Sequence, residues 1–480
     1  MIRTKIYFSF LFLFFVFTSA SYAQTDFVTL SNQILSRVQD QSWSNENCVT
    51  TLQSIQNNLD QFGGSGLSLS QLKPQSATLI DHLWKIRLAL HDRLAGTTDA
   101  CAKEIRNSFR QFRFIEDYLG EIEFEPTEID VDHTKFNEQP VPIDETANGY
   151  LLQTAGPNFD FQPGDLVIAR GVSFLSAMIA RLGDTDSQFS HVILITQNPD
   201  TKKIETIESY VGVGVAIYDR KTALQNDNAR LLVLRPKDQA LAKRVSDQMR
   251  AEVAARTGAN KIYYDYQLDF HDHTTMSCAE VAQVAYLNAS DGAFQLPERP
   301  SMLTHGLDLV EHLGVKPGDT FTPGDLEADS RFEIVAEWRD LRVTRDSRLK
   351  DAILTKIIEW MDQDNFYLHD SLKSKLAHGL IWDARHSFTW PLVKKILGVD
   401  DFSKEIPRDM VGTVTLIDQL GDGMYQELKS RDDDSIQKTG LPMTYAQLYT
   451  TLEETRTEDA QVYTNKKTRK NSIIFKYLRP

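Results

Sequence analysis

Hydrophobic positions along this chain change period twice. Across residues 26–120 they recur at helical spacing. Cys48, Leu52, Ile55 and Leu59 share one face, as do Leu79, Leu83, Ile86 and Leu90, and then Cys101, Ile105, Phe112 and Ile115. Gly63-Gly64-Ser65-Gly66 breaks the pattern as a loop. Residues 24–120 are therefore expected to form a small antiparallel helical bundle or hairpin. The helical period returns after residue 340, with Leu349, Ile353, Ile357 and Met361 on one face, so 341–480 is expected to be a second helical region. Trp382 and Trp390 lie in an aromatic cluster there that would serve core packing or partner contact.

Residues 160–340 read differently. His191-Val192-Ile193-Leu194-Ile195-Thr196 is a β-branched run of the kind that forms strands, and a second run covers 204–209. Asn198-Pro199-Asp200-Thr201 between them is a strong turn signal. With those four residues as the loop, Gln197 pairs with Lys202 and His191 falls directly opposite Glu208, about 5 Å apart at Cβ. Gly212-Val213-Gly214-Val215 has no strand-to-helix context for a phosphate loop and reads as a strand with a close backbone approach. Helices are expected over 173–182 and 239–256, and another begins at Cys278. There Val281, Val284 and Ala285 keep helical spacing, and Ser277 and Glu280 have the spacing of a capping box. The fold class expected is α+β: a small antiparallel sheet with packed helices, flanked by helical regions.

Two segments stand apart. Residues 1–23 carry Arg3 and Lys5, an apolar stretch over 6–17, and Ser21-Tyr22-Ala23 as a small–x–small cleavage pattern, the layout of a secretory signal. The apolar stretch is short of the roughly 20 residues that cross a bilayer. The chain is therefore expected to be exported, periplasmic or secreted, with no integral membrane span once the signal is cleaved. Residues 121–159 form an acidic linker or strap with Pro126, Pro140 and Pro142.

Composition narrows the partners. The net charge of −15 would become −17 without Arg3 and Lys5, and no basic tract suggests nucleic acid as a partner. The basic Lys466-Lys467-Thr468-Arg469-Lys470 reads as a solvated end. His271-Asp272-His273 lacks a third ligand, so a solvated loop is the simpler reading and no metal is expected. Three cysteines are an odd number. If Cys278 is reactive, Cys48 and Cys101 remain as a pair that an oxidising compartment would join; two buried free thiols are the alternative.

Cys278, His191 and Glu208 are the candidate reactive set. A cysteine in the first turn of a helix meets unpaired N–H groups that favour a thiolate. A histidine held by a carboxylate can take the thiol proton. The plain alternatives are a core cysteine and an exposed His–Glu pair on a sheet face.

The order of short motifs resembles the permuted papain-like cysteine amidases of the NlpC superfamily, the YiiX/YebB-like group. The matching pieces are Gly164-Asp165-Leu166-Val167, Ser190-His191, Ile207-Glu208-Ser209, Tyr263-Tyr264-Asp265-Tyr266 and Cys278-Ala279-Glu280. Thr322-Pro323-Gly324-Asp325-Leu326 and Glu337-Trp338 trail them. Ala279 stands where that group more often has Ser. The resemblance covers residues 160–340 of 480. It implies a permuted papain-like (NlpC-type) domain with Cys278 as nucleophile, His191 as base and Glu208 as the orienting carboxylate. Tyr264 would be an oxyanion or substrate contact, unless it is a core tyrosine. The implied reaction is hydrolysis of an amide or ester through a thioester, without cofactor, on a peptide, peptidoglycan-fragment or acyl-lipid substrate. The same permuted site occurs in lecithin:retinol acyltransferase-like enzymes, which makes an acyltransferase or lipid esterase a second reading. A non-catalytic binding module is a third.

Overall fold

The computed structural model describes residues 27–40, 44–60, 68–123, 149–153, 160–224, 228–315, 318–369 and 407–480. The expected signal segment, most of the linker, and Trp382 and Trp390 lie outside the described residues.

The architecture is mixed α+β around one antiparallel sheet. Its strands are β1 (Gly149–Gln153), β2 (Leu166–Gly171), β3 (His191–Gln197), β4 (Ile204–Tyr210), β5 (Gly214–Asp219) and β6 (Asn228–Pro236). Two-residue strands β7 (Ser301–Met302) and β8 (Asp319–Thr320) pair with each other, and β9 (Phe332–Asp340) completes the main sheet. The order is β1-β9-β6-β2-β3-β4-β5, with every neighbouring pair antiparallel. Seven strands make it larger than the small sheet expected. The segment read as a linker contributes β1 on one side and the last turn of the Asp99–Glu123 helix on the other.

Alternation gives the sheet two apolar faces. Leu166, Ile168, Val192, Leu194 and Ile207 pack on the helices Gln239–Ala255 and Cys278–Ala289. Val167, Ala169, Ile193, Ile195, Leu231 and Val233 form a second cluster with Phe161 and Trp338. The close backbone approach expected near Gly212 occurs at Gly214. Its φ is +83°, and a Cβ there would collide with the Ile262 carbonyl oxygen, so only glycine fits.

The N-terminal helices Phe27–Gln39, Cys48–Asp60, Ser76–His91 and Asp99–Glu123 enclose their own apolar cluster. Cys48 and Cys101 are bonded to each other inside it, with Cα atoms 5.7 Å apart. The C-terminal helices Leu341–Asp364, Arg408–Thr439 and Tyr445–Thr464 pack on the short helix Phe174–Ile179 through Phe174, Ala177 and Met178. No helix among the described residues is long and apolar enough to cross a membrane.

Buried charge joins these layers. Arg87 reaches Glu116, Glu327 and Glu337. Arg339 of β9 bonds Asp117 at 2.7 Å and Glu337 at 2.7 Å, and also pairs with Glu116. Burial alone would raise the Glu337 carboxyl, yet the surrounding Arg87, Arg339, Arg230 and Arg113 hold it far below the usual carboxylate range. On the C-terminal side, Arg348 binds Glu121 at 2.7 and 2.9 Å. These ions fix the Asp99–Glu123 helix against the sheet and against the Leu341–Asp364 helix.

Candidate active site

Cys278 is the first residue of its helix. Ser277 precedes it as the cap, and the Ser277 N–H donates to Glu280 Oε2 at 2.7 Å. The sulfur therefore sits where backbone N–H groups have no helical partner. Two strand-like segments steer that helix start. Thr275 bridges Tyr263 in parallel, and the Met276 N–H donates to the Tyr263 carbonyl at 3.0 Å. From β4, Ser209 Oγ donates to the Met276 carbonyl at 2.6 Å.

His191 opens β3, and its Nε2 lies 2.8 Å from Glu208 Oε2. Cys278 is close enough to act electrostatically on the same ring, and with Nε2 on Glu208 the nitrogen left over is Nδ1. Burial alone would lower the His191 pKa. The hydrogen bonds and charges of Cys278 and Glu208 outweigh it and raise the value to about 10. Glu208 is fully buried, and beyond His191 it accepts from Thr206 Oγ1 at 2.8 Å and from Tyr210 Oη at 2.6 Å. Thr206 and Tyr210 stand at alternate positions of β4 and His191 on the adjacent β3, so one face of the sheet supplies the whole surround.

The register that brings them together differs from the one expected. Gln197 pairs with Ile204 and Leu194 with Ile207, so the loop is Asn198–Lys203 rather than four residues. The Asn198 N–H donates to the Lys203 carbonyl at 2.9 Å, Asn198 Oδ1 accepts from Asp200 N and Thr201 N, and Lys202 takes a φ of +61°. The expected pairing is therefore off by two positions. Continued to the strand end, the observed register sets Tyr210 across from His191, and their rings stack with centroids 4.9 Å apart. Glu208 is the diagonal neighbour. Because the side-chain period is two, a shift of two keeps Glu208 on the same face, within reach of the ring.

Tyr264 packs against Tyr266, ring centroids 5.0 Å apart, within electrostatic range of Cys278. Burial first, then the neighbouring Cys278 and Tyr266, raise its hydroxyl well above the usual range, so it stays a neutral donor. Asp265 next to it accepts from Gln267 N at 2.8 Å and Asp269 N at 2.7 Å. Its carboxylate also meets that of Glu280. Burial raises Glu280 to about 8, with Asp265 adding to the shift against the capping bonds of Ser277. Glu280 Oε1 has no donor around it, which fits a shared proton running from Glu280 to Asp265. That pair ties the Tyr264 segment to the Cys278 helix.

Sequence reasoning missed Thr206, Tyr210, Ser209 and the Asp265–Glu280 pair. The i, i+2, i+4 spacing of Thr206, Glu208 and Tyr210 was the available signal. His271 and Asp272 are exposed, and Asp272 accepts from Thr274 N and Oγ1, as in a plain turn. Among the described residues no group of His, Cys, Asp and Glu is placed to hold a metal ion. The chain matches no family model, no curated protein and no solved structure.

Proposed function

We propose that the chain is an exported thiol hydrolase, amidase- or peptidase-like, built on a permuted papain-like domain. The observation that carries the reading is His191 held at 2.8 Å on the fully buried Glu208, with Cys278, at its helix start, acting on the same ring. Glu208 keeps a proton on Nε2, which leaves Nδ1 to take the thiol proton. The thiolate attacks the carbonyl carbon of an amide or ester, and the oxyanion meets N–H groups at the helix start and the Tyr264 hydroxyl. Collapse forms a thioester and expels the amine or alcohol, which takes the proton from His191. His191 then deprotonates water for attack on the thioester, which frees the acid and the thiol. No step calls for a cofactor. The Cys48–Cys101 bond supports an oxidising compartment.

Val211 and Val213, both exposed in the turn after Tyr210, favour a second reading in which the acyl group is apolar and the enzyme is a lipid esterase or acyltransferase. One experiment separates these readings from a binding module. Purified protein is offered peptidoglycan peptides and acyl-lipid esters, and Cys278 is alkylated with iodoacetamide near pH 6. Turnover of one substrate class, lost in Cys278→Ser, with fast alkylation lost in His191→Ala, is expected. A Cys278 that alkylates like a free thiol of pKa about 8.5, indifferent to His191→Ala, would mean a binding module.

A further inference from the structure

The turn that delivers His191 to the site is not self-supporting. Gln188, three residues upstream, adopts a left-handed backbone with φ of +57°, which non-glycine residues rarely hold without outside support. It is fully buried. The support comes from the Asp99–Glu123 helix of the N-terminal region. Arg113 Nε donates to Gln188 Oε1 at 2.8 Å, and its Nη2 donates to the Ser187 carbonyl at 3.3 Å. Arg113 is itself fixed on Glu327 at 2.5 and 2.6 Å. One turn earlier on the same helix, Arg110 binds Asp186 at 3.0 Å, and Asp186 Oδ1 accepts from the Gln188 N–H at 3.1 Å. Arg230 of β6 donates to the Gln188 carbonyl at 3.3 Å. Phe189 follows, fully buried, with the Arg113 guanidinium 4.9 Å and the Arg230 guanidinium 5.8 Å from its ring centre. Ser190 N then bonds the Ala169 carbonyl at 2.8 Å, and β3 begins at His191.

We infer that the N-terminal helices belong to the active site: Arg113 is a positioning residue that holds the Gln188 turn, and through it sets His191 against Cys278. A helical region merely packed beside the sheet has no need of two arginines, one turn apart, that each grip the same strained turn. Only Phe189 and Ser190 separate Gln188 from His191, and both are pinned. A displacement of Gln188 therefore passes to the imidazole rather than being absorbed.

This inference rests on the thiol-hydrolase reading, and its test keeps the two apart. The readout is the pH profile of Cys278 alkylation by iodoacetamide in the full chain, which requires no substrate. Gln188→Gly and Gln188→Asn both accept a left-handed backbone. The first lacks a side chain for Arg113, and the second is one methylene too short. Both should move the profile up by about one pH unit, which is about a tenfold slower reaction at pH 6. Gln188→Glu, which returns an oxygen to Arg113, should restore the wild-type profile. Folded Gly or Asn variants with an unchanged profile overturn the inference while leaving the hydrolase reading intact. If all three variants fail to fold, Gln188 is a folding residue and the inference is wrong. If wild-type Cys278 shows no enhanced reactivity and His191→Ala changes nothing, the hydrolase reading fails and takes the inference with it.

Discussion

Tyr210 stacks on His191, ring centroids 4.9 Å apart and planes 22° from parallel, while its hydroxyl donates at 2.6 Å to the Glu208 oxygen that His191 also uses. One side chain thus constrains both the plane of the imidazole and the position of its carboxylate.

The two contributions of Tyr210 are separable. Tyr210→Phe keeps the ring and removes one of three donors to a buried carboxylate, which should cost about 1.5–3 kcal/mol of stability. Alkylation of Cys278 at pH 6 should change little, since Thr206 and His191 still hold Glu208. Tyr210→Ala also frees the ring, and should slow alkylation clearly more than Phe does. Equal rates in the two variants would show that stacking does not position His191.

Glu280 makes a claim about pH. Its folded value is raised from 4.5 to about 8. Between those limits the folded chain holds a proton that the unfolded chain has lost, so this group's contribution to stability falls as pH rises and is gone above about pH 8. Glu280→Gln mimics the protonated form: its amide oxygen can accept from Ser277 N, and its NH₂ can donate to Asp265. The variant's melting temperature should fall less than wild type between pH 6 and 9. His191, also raised, tilts stability the same way from 6.5 to about 10, but equally in both proteins. Parallel curves for the two proteins would remove the shared proton.

The helix start at Cys278 was legible because its cap is local: Ser277 and Glu280 lie three positions apart and bond as their spacing implies. Strands β3 and β4 were legible from β-branched runs. Their register was not, because Asn198 organises six residues rather than four, and nothing in Asn-Pro-Asp-Thr alone announces that Lys202 will turn left-handed. The error was harmless to the site only because it was even. Arg87 and Arg113 could not be recognised as buried, since their partner Glu327 lies more than 200 positions away. For the same reason the ion pairs that tie the flanking helices to the sheet were not legible.

That buried network should be costly to open. Arg339 is fully buried and serves Glu116, Asp117 and Glu337 together. Arg339→Met would leave three carboxylates facing one another out of water, with Arg87 and Arg230 as the remaining compensation. Loss of one partner from a buried ion pair costs about 3–5 kcal/mol. Urea unfolding followed by tryptophan fluorescence should show a loss of that size. A change under 1 kcal/mol would mean that water enters and solvates the acids.

The Cys48–Cys101 bond gives the last expectation. It closes a segment of 53 residues between the first turns of two helices, and both cysteines are buried in the N-terminal cluster. Restricting the unfolded chain over such a loop contributes about 4 kcal/mol. The Asp99–Glu123 helix that carries Cys101 also carries Arg113, so loosening it reaches the Gln188 turn. Cys48→Ser/Cys101→Ser should therefore lower stability by roughly that amount. In protein that is still folded, it should also slow Cys278 alkylation at pH 6. Unreduced mass spectrometry should find one free thiol per chain, at Cys278. Two free thiols at Cys48 and Cys101 would refute the bond. A stability loss with unchanged alkylation would show that the disulfide holds the bundle without reaching His191.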